Sequence, residues 1–195
     1  MKKWMRIVCT IGSVLCMTGC GSSFEPSITS LYVCKDGKIT QAIVESFEKD
    51  HYSLSELESM VKKEISTYNN RYGEEKIVLN RLEEKDQTLY LLLDYEDAEV
   101  YRSHSEEYCF VGTIDEALDE GHSFYMDFKD VDYEELSAAV VTENKKNHVV
   151  ILKEEGVVQL EKPVKYVSNN VEIISDHMVQ VMPIEDSAEY AYIIF

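Results

Sequence analysis

The segment Asp127-x-x-Asp130-x-Asp132-x-Glu134-Glu135 gathers carboxylates in one short loop, the donor chemistry that hard cations such as calcium favour. Asp127, Asp130 and Asp132 are the candidate ligands. The spacing departs from an EF-hand because the turn glycine is missing, and Asp132-x-x-Glu135 already suits the start of a helix. Acidic residues around a helix N-terminus on a solvated face is therefore the preferred reading, and no metal or cofactor is assigned. Tyr90, Tyr95, Tyr101, Tyr108, Tyr125 and Tyr133 punctuate the same acidic stretch. Aromatic faces beside carboxylates can hold a sugar or a cationic group by stacking and cation–π attraction. Tyrosine also suits half-buried positions with a wet hydroxyl, and that structural role is preferred. Carboxylate pairs within residues 94–135 are also the material of glycoside hydrolysis, but their separation is set by tertiary structure.

Other chemistry is sparse. The chain has no Gly-x-Ser-x-Gly and no Ser-x-x-Lys set with its partner motifs. Its 8 glycines do not cluster into a phosphate-binding loop. The 5 histidines (51, 104, 122, 148 and 177) are scattered, without His-Glu-x-x-His. His104 with Cys109, or His122 with Asp127, would share a site only if the fold brought them together. No catalytic residue is assigned.

The full chain of 195 residues carries 19 basic and 37 acidic side chains, a net charge of −18. Residues 83–135 hold 18 of the acids against 3 basic residues. Such a surface argues against nucleic-acid binding, which needs clustered Lys and Arg to neutralise phosphates. It argues equally against direct attraction to anionic lipid headgroups.

At the N-terminus, Lys2, Lys3 and Arg6 precede the uncharged apolar stretch Ile7 to Met17, and Met17-Thr18-Gly19-Cys20 follows. Eleven apolar residues are too few to span a bilayer stably, so the segment has the layout of a secretory signal. The cysteine at the cleavage point resembles the lipobox of bacterial lipoproteins. In that family the signal peptidase cuts before the cysteine, whose thiol carries a diacylglycerol. Met17 stands where the family usually has leucine, a mild departure. The resemblance implies removal of residues 1–19, an acyl anchor on Cys20, and a place on the extracytoplasmic face of the cell membrane. Without Lys2, Lys3 and Arg6 the mature chain would carry a net charge of −21. Two acyl chains, at about 0.8 kcal/mol per buried methylene, suffice for stable attachment. Export would permit a disulfide between Cys34 and Cys109, but two half-buried thiols acting as small apolar residues is the preferred state.

Residues 20–27 read as a tether and 28–195 as a single domain with a β-rich C-terminal lobe from about residue 147. Asp36-Gly37 predicts a two-residue hairpin loop in which Cys34 opposes Ile39. Leu31, Val33, Thr40, Ala42 and Val44 then share the core face. Ser53-x-x-Glu56 caps a helix whose stripe is Leu54, Leu57, Met60, Val61, Ile65 and Tyr68, and Gly73 ends it. Ile77–Leu82 and Thr88–Tyr95 form a second hairpin with Glu83–Gln87 at its tip, the latter strand buried on both sides.

A short helix follows over Asp97–His104, then a strand over Tyr108–Gly112 and a helix capped by Thr113-x-x-Glu116 and closed by Gly121. Ser123–Phe128 is a predicted strand, and Asp132 to Val141 a predicted helix. The remaining strands are His148–Lys153, Val157–Tyr166, Val171–Ser175, Met178–Met182 and Glu189–Phe195. The fold class is α+β: mainly antiparallel sheet, two to four helices in the first two-thirds, and a C-terminal β-meander.

The function expected from these features is a membrane-anchored, non-enzymatic binding or interaction module with a protein or envelope partner. The alternative is a cell-envelope enzyme acting on glycan or peptide through carboxylates in the 94–135 region. Beyond the signal, the anchor and hairpin-then-helix opening (Leu31 to Asn70) are similar in style to small lipoproteins of Gram-positive bacteria, which transfers no function. Metabolic labelling with a fatty acid tests the anchor. Label is expected on the wild-type chain and lost in Cys20→Ser; label that survives the substitution rules out acylation there.

Overall fold

The computed structural model describes residues 24–47, 53–73, 75–183 and 190–195. The signal segment and Cys20 lie outside the described residues. In chain order the elements are β1 (Ser30–Val33), β2 (Ile39–Ser46), α1 (Leu54–Tyr72), β3 (Ile77–Lys85), β4 (Thr88–Tyr95), α2 (Ala98–Ser105), β5 (Cys109–Thr113) and α3 (Ile114–Asp119). There follow β6 (Phe128–Asp130), β7 (Glu135–Leu136), α4 (Ala138–Val141), β8 (His148–Leu152), β9 (Gly156–Leu160), β10 (Tyr166–Ser168), β11 (Val171–Ser175), β12 (Met178–Val181) and β13 (Ala191–Ile194). The protein is α+β, with mainly antiparallel sheets, its helices early and strands filling the C-terminal part.

The strands form two sheets. The first has the order β11-β12-β9-β1-β2-β4-β3, and the second β5-β8-β13-β10-β6-β7. All pairings are antiparallel except β1 with β9. The C-terminal strands succeed one another as expected, but β8, β10 and β13 join the second sheet and β9, β11 and β12 the first, so that of consecutive strands only β11 and β12 lie side by side. Pro163 explains one crossing: it lacks a ladder N–H, and the predicted strand Val157–Tyr166 divides there into β9 and β10. Val164 then donates its N–H to Asp176 O (2.7 Å), on the turn between β11 and β12.

The main core lies between the sheets. Cys109, Val150, Leu152, Ala191 and Ile193 point into it from the second sheet, and Val33, Ile39, Leu91, Leu93, Val158 and Val179 from the first. Alternate residues of the same strands (Phe110, Val149, Ile151, Tyr192 and Ile194) face the opposite way. There Ile114 and Ala117 of α3, Val141 of α4 and Phe124 and Phe128 cover them. Strands β8 and β13 are thus buried on both faces, as β4 is at Leu91, Leu92 and Leu93. Helix α1 lies along β3, with Ile65, Val61 and Tyr68 inward. Its N-cap is Ser53, which accepts from Glu56 N (3.1 Å), and Gly73 follows its last turn. Met60, at 68 % exposure, lies off the buried stripe.

Several expectations are corrected. The first hairpin pairs Val33 with Ile39 and Tyr32 with Thr40, one residue from the predicted register. Cys34 N donates to Lys38 O (2.9 Å), Gly37 N donates to Cys34 O (3.1 Å), and Gly37 has φ +88°. This is a three-residue loop ending in a left-handed glycine, not a two-residue turn. Leu31, Val33, Ile39 and Ile43 consequently share the core face. The second hairpin turns on Asp86 and Gln87 alone, both with positive φ, so β3 continues to Lys85.

Ser123–Phe128 is mostly loop, because Phe124 and Phe128 are both buried and Met126 N donates to Phe124 O (2.8 Å), bending the chain between them. Of the helix expected from Asp132 to Val141 only the end forms, as α4 (Ala138–Val141). Asp130 accepts from Asp132 N (2.9 Å) and Glu134 N (3.0 Å), Tyr133 has φ +65°, and the resulting tight turn sends the chain into β7.

The boundary of the tether also moves. Phe24 stacks on Tyr32 with ring centroids 4.9 Å apart, Glu25 forms a two-pronged pair with Arg81 (2.8 and 2.9 Å), and Pro26 is buried. Residues 24–27 therefore belong to the folded domain. Cys34 and Cys109 are fully buried, not half-buried, and Cys109 is a free thiol, so no bridge joins the pair. Burial pushes the Cys109 thiol up to about 12, which removes thiolate character at neutral pH.

Truncation between the sheets should be costly. Ile193→Ala is expected to lower the unfolding free energy by about 2–5 kcal/mol, whereas exposed Met60→Ala should stay within about 0.5 kcal/mol. Urea unfolding followed by circular dichroism measures both; equal effects would contradict the assigned core.

Candidate functional site

Helix α3 is fastened at both ends, and this fixes one wall of a cleft. At its start Thr113 Oγ1 accepts from Glu116 N (3.2 Å), while Glu116 Oε2 accepts from Thr113 N (2.7 Å). This is the predicted capping box. At its end Gly121 adopts φ +90°; Gly121 N donates to Leu118 O (3.0 Å) and His122 N to Ala117 O (2.9 Å). That paired closure is a Schellman motif, in which a side chain at position 121 would be strained. The glycine was legible as a stop. That the stop aims His122 into a cleft was not.

The cleft encloses about 710 Å³. Tyr108, just before β5, forms one side, with its hydroxyl 2.7 Å from His122 Nε2. Tyr190 lies just before β13 and Tyr192 on it, and the Tyr190 ring packs edge-on against both Tyr108 (5.1 Å) and His122 (5.6 Å). The turn Ser168-Asn169-Asn170 closes the far side. It is pinned to β13: Ser168 Oγ accepts from Tyr192 N (2.8 Å) and donates to Asn170 Oδ1 (2.6 Å), and Asn170 Nδ2 donates to Tyr190 O (3.1 Å). Tyr192 Oη donates to Ser123 O (2.9 Å), which holds the Ser123–Asp127 loop against the same strand. Buried Phe124, 5.0 Å from the Tyr192 ring, secures that loop from below. Tyr125, next in sequence, is 96 % exposed at the lip.

Burial lowers the basicity of His122, Arg102 adds to the effect and Glu120 opposes it, so its titration midpoint lies below the ordinary 6.5. Burial raises the Tyr108 and Tyr192 phenols, the latter to about 12, so both remain hydroxyls at neutral pH. The rings of Tyr108 and Tyr190 are approached by the chain's own cations, Arg102 at 5.7 Å and Lys153 at 4.8 Å. Glu120 and Asp127 are the carboxylates among the described lining residues, and both are exposed.

The structure does not gather Asp127, Asp130 and Asp132. Asp127 lines the cleft, Asp130 shapes the β6–β7 turn, and Asp132 is exposed within that turn. Among the described residues no group of three His, Cys, Asp or Glu is placed to hold a metal ion. His122 and Asp127 do come together in one cleft; His104 is instead bonded to Tyr95 (3.2 Å) beside Tyr68. Of the six tyrosines marked in the sequence, Tyr108 and Tyr125 reach the cleft. Tyr95 and Tyr101 are core residues, and Tyr133 donates to Ile173 O (3.2 Å). Sequence reasoning missed Tyr190, Tyr192 and Asn169. They follow the acidic stretch by more than thirty residues and carry no local motif.

Seven other carboxylates of the 94–135 region, Asp130 among them, have structural partners. Asp97 and Glu116 cap helices, and Asp94 accepts from Thr40 Oγ1 and Asn80 Nδ2 (both 2.7 Å). Glu96 pairs with Lys76, Asp115 with Lys145 (3.0 Å), and Glu107 accepts from Tyr101. The chain matches no family model, no curated protein and no solved structure. Among the described residues no helix is long and apolar enough to cross a membrane.

His122 supplies a pH prediction. Its midpoint is lowered by folding, so between that midpoint and 6.5 the unfolded chain binds more protons than the folded one. The associated stability is present above pH 6.5 and lost as pH falls through the folded midpoint. The His122 imidazole resonance should titrate below 6.5 by NMR, and His122→Gln should flatten this part of the stability–pH curve. A midpoint above 6.5 would reverse the assignment.

Proposed function

We propose that this protein is a lipid-anchored, non-enzymatic binding module on the extracytoplasmic face of the cell membrane, with the tyrosine-lined cleft as its ligand site. One observation carries the reading: the cleft walls are preorganised by hydrogen bonds from Ser168, Asn170 and Tyr192, while ring edges and polar groups remain turned toward solvent. Rigid walls of this kind reduce the ordering cost of binding. The volume lies within the usual range of small-ligand sites, about 300–1,000 Å³.

The enzymatic alternative needs two carboxylates whose environments push their acidities apart. Glu120 and Asp127 are the pair the cleft offers, and both are exposed on its lip instead of enclosed within it. Binding is therefore the better account. The acyl anchor rests on the signal-like residues 1–20. From Cys20 to Phe24 the chain reaches at most about 14 Å, so an anchored domain would stay close to the bilayer. Its partner would be an envelope component, with no role for nucleic acid.

Site-specific photo-crosslinking in intact cells tests this. A benzoylphenylalanine at position 125, on the cleft lip, should give an envelope-derived adduct that the same probe at position 60, on α1, does not. Identical products at both positions, or monomer alone, would count against the cleft.

A further inference from the structure

Resting on the cleft as the ligand site, we infer that its ligand is a neutral saccharide, with Tyr125 as the platform on which a sugar ring stacks. Tyr125 is 96 % exposed although Phe124 beside it is 4 % exposed and Phe128 is fully buried. The bend at Phe124–Met126 (N to O, 2.8 Å) drives one aromatic ring into the core and holds the next out over the cleft. An aromatic ring held in water beside a preformed cleft offers an apolar face with a rigid attachment, which suits the C–H face of a pyranose.

The polar groups fit the same ligand. Among the described residues Asn169, Asp127 and the Tyr190 hydroxyl have no hydrogen-bond partner, unlike Ser168, Asn170 and Tyr192, which are engaged within the wall. A planar amide and a planar carboxylate each present two polar atoms in one plane, the spacing that vicinal hydroxyls satisfy.

Charge discriminates between ligand classes. A cationic amine would have to share the Tyr108 and Tyr190 rings with Arg102 and Lys153, which leaves it Tyr125 alone. An anionic sugar would meet Glu120 and Asp127 at the lip of a protein with net charge −18. A neutral polyol avoids both conflicts.

The test is isothermal titration of full-length protein, in a detergent without a sugar headgroup, with maltotriose, cellotriose, tri-N-acetylchitotriose and choline. At least one trisaccharide should bind. Tyr125→Ala should weaken it about tenfold, as loss of an aromatic contact implies, while Tyr125→Phe stays within about twofold. Asn169→Ala should weaken it severalfold; thermal melting confirms that each variant folds. Choline binding that depends on Tyr125, with no trisaccharide bound, overturns the saccharide and leaves the cleft as a ligand site. Saccharide binding indifferent to both substitutions overturns the proposed geometry. If no trisaccharide binds, the inference falls. The cleft reading then survives only where choline binds through Tyr125 or the position-125 crosslink persists.

Discussion

Strands β8 and β13 are apolar on both faces, and the architecture follows from that constraint. Val150 and Leu152 alternate with Val149 and Ile151, and Ala191 and Ile193 with Tyr192 and Ile194; all are buried. A strand of this kind cannot sit at a surface, so it needs a layer on each side. The other sheet supplies one layer. The second is improvised from two short helices and an aromatic-anchored loop. The cleft lies where that second layer stops, and its walls are the aromatic residues that shield the sheet at the gap.

The acidic middle third shows how a chain of this charge folds without a cationic partner. Five of its carboxylates, Asp94, Asp97, Glu107, Glu116 and Asp130, perform local tasks at helix caps, in the Asp130 turn, or beside hydroxyl and amide donors. Each such bond aims backbone N–H groups or neutral side chains at a carboxylate, so attraction need not come from the few Lys and Arg. The surface ion pairs, such as Asp115 with Lys145, contribute little beside this. The cleft carries Glu120 and Asp127 in its lining, while Arg102 and Lys153 lie over the rings of Tyr108 and Tyr190.

Elements with a local cause were legible. Helix α1 begins at Ser53, α3 begins at its capping box and stops at Gly121, and β4 is buried on both sides, each from signals within a few residues. The errors have two origins. Asp36-Gly37 signals a hairpin, but whether the loop holds two or three residues depends on which pairing buries the better face, and that face is defined by a sheet assembled from distant strands. Asp132-x-x-Glu135 is a sound cap pattern defeated by a stronger local competitor, the Asp130 carboxylate.

The sequence by itself determined the α+β class, the main helix boundaries, the excess of acid and the absence of recognisable catalytic motifs, because these depend on residue type and short spacing. Only the tertiary structure decided which tyrosines bury themselves and which frame a cleft. It alone brought His122 and Asp127 together with Asn169 and Tyr190 from the far end of the chain. Side-chain periodicity tells a strand which residues point the same way. What lies opposite them is set by how two sheets and their covering layer close on one another, and no interval along the chain records that.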